Sequence, residues 1–148
     1  MISSFALLAL WFAGALVSSP AAPPPLAQEA LSQAASRFSQ AWVGRDLGTI
    51  GTLLAAEGVR ITIEGQDYHV LAERQALVTL GDFLSRHEGD AFDVKRIAEL
   101  GGDPAHGISE VIWEAVDKSS GERLDRTLFV AFILEAGAWR VEELRILR

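Results

Sequence analysis

Glu114 and Arg126 are the opposite charges in this chain best placed to act together. Reading Ser119-Ser120-Gly121 as a three-residue hairpin loop, with Gly at the left-handed position, sets Lys118 opposite Glu122 and Val116 opposite Leu124. The same register sets Glu114 opposite Arg126 and Ile112 opposite Leu128. If that face lines an interior, an unpartnered charge there is costly, so the two side chains pair or hold a ligand. At a rim they form a cross-strand ion pair contributing about 0.2–1 kcal/mol. Glu110 falls one step further along the face. Apolar surroundings would fit it to act as a base; a bend that turns it to solvent would leave it inert. Tyr68, with His69 beside it, either orients a ligand through hydrogen bonds or closes the core with its ring.

The remaining histidines stand alone. His87 falls in the last turn of an expected helix, and His106 follows a Gly/Pro turn and faces solvent. The three histidines lack the short spacing of a zinc site. A chain without cysteine has no thiolate ligand, thiol nucleophile or disulfide. The residues therefore name no metal, no cofactor and no catalytic set. Tyr68, Glu110, Glu114 and Arg126 remain as candidate ligand-binding side chains.

Positioning these groups falls to helices followed by strands. Leu31, Ala35, Phe38 and Trp42 recur at helical spacing, and Gly44 offers a stop. Asp46 suits the N-cap of a short second helix bearing Leu47, Ile50 and Leu54, which Gly58 closes. Val59, Ile61 and Ile63 alternate as a strand ending at Glu64-Gly65-Gln66-Asp67. The spacing predicts a longer helix over 71–87, with Ala76, Leu77, Leu80, Phe83 and Leu84 as its apolar stripe and Glu88-Gly89-Asp90 at its end. Strands follow over 92–100, 108–117, 124–134 and 139–147, with turns at Gly101-Gly102-Asp103-Pro104 and Ala136-Gly137. In the last strand Trp139 and Val141 share one phase, and Leu144 and Ile146 the other. One extra residue near Glu142-Glu143 restores a single apolar face, the mark of a β-bulge that bends a sheet.

The 148 residues make one domain preceded by a leader. Residues 2–17 are almost wholly apolar, and Ser18-Ser19-Pro20-Ala21-Ala22-Pro23-Pro24-Pro25 follows. This reads as a signal peptide and Pro/Ala spacer over 1–27, with the folded domain over 28–148 and export to the periplasm or the outside. No Lys or Arg precedes Arg37, so an uncleaved membrane anchor is the alternative, although the run is short for a span. The chain carries 20 carboxylates against 13 scattered basic side chains, which leaves no cationic stripe for nucleic acid.

Both phases of the central strands are apolar: Leu128, Val130 and Phe132 alternate with Phe129, Ala131 and Ile133, and Val111 and Trp113 are placed beside the second set. One face covers helices and the other meets a partner, so Trp113, Phe129 and Ile133 form a candidate homodimer surface. Helices covering that second face instead would reverse inside and outside. The order helix, short helix, strand, long helix and four long antiparallel strands resembles the nuclear transport factor 2-like superfamily. The stretches Val59-Arg60-Ile61-Thr62-Ile63, Leu80-Gly81-Asp82-Phe83-Leu84 and 138–146 carry the likeness, in the manner of a small exported branch of unknown function. The resemblance implies an α+β cystatin-like cone, in which N-terminal helices pack in the concave face of a strongly bent mixed or antiparallel sheet. It also implies a pocket between sheet and helices, and frequent dimers through the outer sheet face. The isomerase branch uses a tyrosine and two acids inside the cone, a set with no match here. The reading is thus a non-catalytic module with an apolar pocket for a small hydrophobic ligand or a protein partner. The alternative is an isomerase or lyase in which Glu110 or Glu114 takes a proton and Arg126 or Tyr68 steadies the charge.

Overall fold

The computed structural model describes residues 29–148, so the expected leader and spacer lie outside the described residues. No helix among the described residues is long and apolar enough to cross a membrane. Three helices, α1 (Leu31–Val43), α2 (Leu47–Leu53) and α3 (Glu73–Ser85), accompany six strands. These are β1 (Val59–Ile63), β2 (Gln66–Leu71), β3 (His87–Gly101), β4 (His106–Asp117), β5 (Arg123–Glu135) and β6 (Ala138–Leu147). They form one mixed sheet in the order β2-β1-β6-β5-β4-β3, with only β1 and β6 parallel. This is an α+β architecture with the helices on one face of the sheet.

The helical stripes bury as their spacing requires. Leu31, Ala35, Phe38 and Trp42 of α1 and Ala76, Leu80, Phe83 and Leu84 of α3 are all buried. Asp46 caps α2 by accepting a hydrogen bond from the Thr49 amide at 3.0 Å. Gly44 keeps right-handed backbone, and Arg45 takes the left-handed conformation expected of the glycine (φ 54°). That placement lets the Arg45 guanidinium donate to the carbonyls of Leu84 (2.9 Å) and His87, tying the end of α1 to the end of α3.

The β-bulge lies where the phase change puts it. Ala131 pairs with Glu143 and Phe132 with Val141, leaving Glu142 as the extra residue. Trp139, Val141, Leu144 and Ile146 consequently all face the core. The expected helix over 71–87 is shorter, and its first residue, Leu71, ends β2, a hairpin partner of β1. His87 opens β3 rather than closing α3, so the expected helix end at Glu88-Gly89-Asp90 lies inside a strand.

The β4–β5 hairpin corrects the expected register by one residue. Asp117 exchanges hydrogen bonds across the turn with Glu122 and Gly121, so the connecting loop covers four residues, 118–121. The Asp117 carboxylate sets this length by accepting from the Ser119 hydroxyl (2.6 Å) and from the amides of Ser119 (2.8 Å) and Ser120 (3.1 Å). Those bonds favour the ionised form and hold its pKa down at about 2. Glu114 therefore faces Asp125, and Trp113 faces Arg126. Because side chains alternate, a one-residue slip exchanges the faces. Ser109, Val111, Trp113 and Ala115 join Arg126, Leu128, Val130 and Phe132 on the buried side. Trp113, expected on the outer face, is a core residue at 1% exposure.

Candidate functional site

Glu64 is the carboxylate that the fold turns inward at the open end of the cone. Val59, Ile61 and Ile63 present their side chains to the core, so simple alternation would send the next residue outward. The tight β1–β2 turn prevents this: Glu64 (φ 49°) and Gly65 (φ 90°) both adopt left-handed backbone. The Glu64 carboxylate receives Nε of Arg126 at 2.7 Å and Nη2 of Arg148 at 3.2 Å. Arg126 is the buried member, 9% exposed, and its Nη1 also donates to the Asp125 carbonyl at 3.2 Å. Burial pushes the Glu64 pKa up, and the hydrogen bonds and charges of the two arginines push it further down. The net result lies below the ordinary carboxylate value of 4.5.

Around this ion triad lie two neighbouring cavities of about 430 and 240 Å³, which share Glu64, Arg86, His87 and Arg148. Tyr68 enters the smaller and Arg126 the larger. His87 is buried, 2.8 Å through Nδ1 from the Phe83 carbonyl and 4.5 Å between ring centroids from Phe83. A carbonyl only accepts, so Nδ1 carries a proton and Nε2 is left for the cavity that the ring lines. Beneath, Trp113 packs edge-on against Trp42 at 5.5 Å and lies 5.9 Å from Phe83. The apolar pocket expected inside the cone is thus filled by Trp42, Phe83 and Trp113, each 1% exposed, and the space at its open end is edged by charged side chains.

The four candidate residues separate. Arg126 and Tyr68 line the two neighbouring cavities at the open end, one each. Glu110 lies on the outer sheet face, 3.9 Å from Arg96. Glu114 is exposed beside Arg123 and Glu88, in a different cavity of about 570 Å³. The Glu114–Arg126 pairing is excluded by the hairpin register. His106 is half-buried and 2.8 Å from the Glu142 carboxylate at the bulge, not free in solvent. Among the described residues, no three His, Cys, Asp or Glu side chains converge as a metal site would require. Sequence reasoning missed Glu64, Arg86, His87 and Arg148. An Xaa-Gly pair between two short apolar runs was the available signal for the hairpin.

No protein-family model matches the chain, and no curated protein matches its sequence. Solved structures do. A DUF4783 family protein from Bacteroides uniformis superposes with a TM-score of 0.64 at 17% identity, over 76% of this chain and 94% of its own. A ketosteroid isomerase-like protein from Erwinia carotovora atroseptica gives 0.63 at 14% identity, over 79% and 92%. An NTF-2 like protein of unknown function from Shewanella oneidensis gives 0.60 at 13% identity, over 79% and 95%. The chain has the nuclear transport factor 2-like fold. At the open end Glu64 is bound by two guanidinium groups, and Asp117 and Glu122 also line the larger cavity.

Proposed function

We propose that this nuclear transport factor 2-like domain is a non-catalytic module that binds a small molecule at the open end of its cone. The supporting observation is the state of Glu64. A general base needs a free lone pair and a pKa close to working pH, whereas both oxygens of Glu64 are engaged and its pKa is lowered. Such a carboxylate is an anchor: it fixes Arg126 and Arg148, whose remaining N–H groups, with His87, present hydrogen bonds above Ile63, Phe83 and Leu124. The isomerase-like neighbours suggest the discriminating substrate. A small cyclic β,γ-unsaturated ketone is expected to form conjugated product no faster with protein than in buffer. General-base catalysis contributes roughly 10²–10⁴-fold, so product forming at such a rate, and lost in Glu64→Gln, would replace this reading with the isomerase one.

The same proposal includes a homodimer through the outer sheet face. Phe129 and Ile133 lie there with Ile108 and Ile112, all half-buried, bordered by the Arg96–Glu110 pair and by Glu143 and Arg145. Apolar side chains edged by both signs of charge suit a self-complementary contact. Sedimentation should show a dimer at tens of micromolar and a monomer for Phe129→Asp. A monomeric wild type at that concentration contradicts it.

A further inference from the structure

We infer that the groove between α1 and the concave side of β3 is a second binding site, selective for uncharged apolar molecules. It is separate from the open-end cavity and does not depend on that reading. The groove has a volume of about 560 Å³, within the range of small-molecule sites. Its β3 wall is Phe92, Val94 and Ile97, and its α1 wall includes Ala35 and Val43. Val94 and Ile97 are 41% and 38% exposed, although they share the inward phase of β3 with Phe92. Residues of α1 and β3 line the two sides of the trough, and among the described residues nothing covers these apolar side chains.

Charge decides what fits. The chain has 33 acidic and basic side chains among 148 residues, 20 plus 13, yet among the described residues none of the ten that line the groove is ionisable. The polar members belong to α1 and are small or self-satisfied: the Ser39 hydroxyl donates to the Ala35 carbonyl at 2.8 Å, and the Gln40 amide reaches the Ser36 hydroxyl at 3.4 Å. A charged ligand would lose its hydration there with no counter-charge in return. A β-strand partner is disfavoured as well. β3 is an edge strand, but its pairing is interrupted at three places, and Asp93 and Lys95 stand exposed along it. Irregular, charged edges oppose strand addition. The remaining occupant is a neutral, largely apolar small molecule with at most hydroxyl or amide polarity.

Two fluorophores of the same skeleton test this: neutral N-phenyl-naphthylamine and the anionic anilinonaphthalene sulfonate, titrated in high salt so that the net charge of −7 is screened. The neutral dye is expected to bind at least about 10-fold more tightly, the difference that one unpaired buried charge imposes. Val94→Asp and Ile97→Asp, both at exposed positions that the fold tolerates, should each weaken it by about 10-fold or more. Val78→Asp removes a more exposed valine (68%) from α3, outside the groove, and should change nothing. Circular dichroism verifies that each variant is folded. No binding of the neutral dye, equal binding of both dyes, binding indifferent to Val94→Asp and Ile97→Asp, or an equal loss in Val78→Asp would each overturn the inference. None of these outcomes bears on Glu64, so the open-end reading stands or falls separately.

Discussion

Trp113→Ala is expected to lower the unfolding free energy by about 3–5 kcal/mol, the cost of emptying a large aromatic site that cannot collapse. Trp113 is 1% exposed and is held between Trp42, Phe83 and His87 from three different elements. β3 also closes on it: a Cβ added at Gly89 would lie 2.8 Å from Nε1 of Trp113 and 2.3 Å from the Glu114 carbonyl oxygen. Backbone that near cannot move in without breaking the β3–β4 pairing. Trp113→Phe separates packing from polarity. The indole N–H is buried without a protein partner among the described residues, so losing it removes an unsatisfied donor and offsets part of the lost volume. A loss of roughly 1–2 kcal/mol is expected for that variant. Urea unfolding followed by circular dichroism checks both. A Trp113→Ala loss below about 1 kcal/mol would mean that the cone interior is not filled by this ring, since even a single buried methylene contributes about that much.

The second large effect belongs to the ion triad, and its asymmetry is the informative part. Glu64→Ala leaves the buried Arg126 without its carboxylate and with only the Asp125 carbonyl as hydrogen-bond partner among the described residues. The cost is about 2–3 kcal/mol, less than for a fully enclosed pair because a cavity adjoins it. Arg126→Met keeps the apolar stem and leaves Glu64 still bonded to Arg148, so about 1–2 kcal/mol is expected. Arg148 is 75% exposed at its side chain, and Arg148→Ala should cost less than about 1 kcal/mol. A cycle of Glu64→Gln with Arg126→Met should reveal a coupling of about 1–2 kcal/mol. The effect depends on pH in one direction. A carboxylate whose folded pKa lies below its unfolded value stabilises the fold above the unfolded value and ceases to do so as pH falls through the folded one. The difference between wild type and Glu64→Gln should therefore be full above about pH 5 and vanish on descent below 4.5.

The helical stripes, β1 and the bulge at Glu142 were legible because each rests on many residues repeating with one period. Trp139, Val141, Leu144 and Ile146 fit one buried face only if an extra residue intervenes, so the sequence itself contained the bend. The hairpin register rested on a single loop. There the Asp117 carboxylate, by binding Ser119 and Ser120, adds one residue to the loop and exchanges the faces of a whole strand. Strand β2 went unread because Asp67, His69 and Val70 are exposed and His69 is left-handed (φ 61°), which erases alternation. The site followed suit. Tyr68 was identified for the Tyr-His step before the long helix and Arg126 for an expected pairing with Glu114 that the register does not make, but Glu64 depends on a backbone conformation that its residue type does not announce. The groove beside β3 depends on how far α1 stands from the sheet edge, a distance no spacing of residues encodes.

The claim that Glu64 is an anchor and not a base is tested most directly by carbon-13 NMR titration of its side-chain carboxyl in the intact chain. The geometry predicts a single transition with its midpoint below the ordinary 4.5, moving upward in Arg126→Met. A midpoint well above 4.5 in wild type would show a carboxylate free of its arginines and poised to take protons, and the binding account would give way to catalysis.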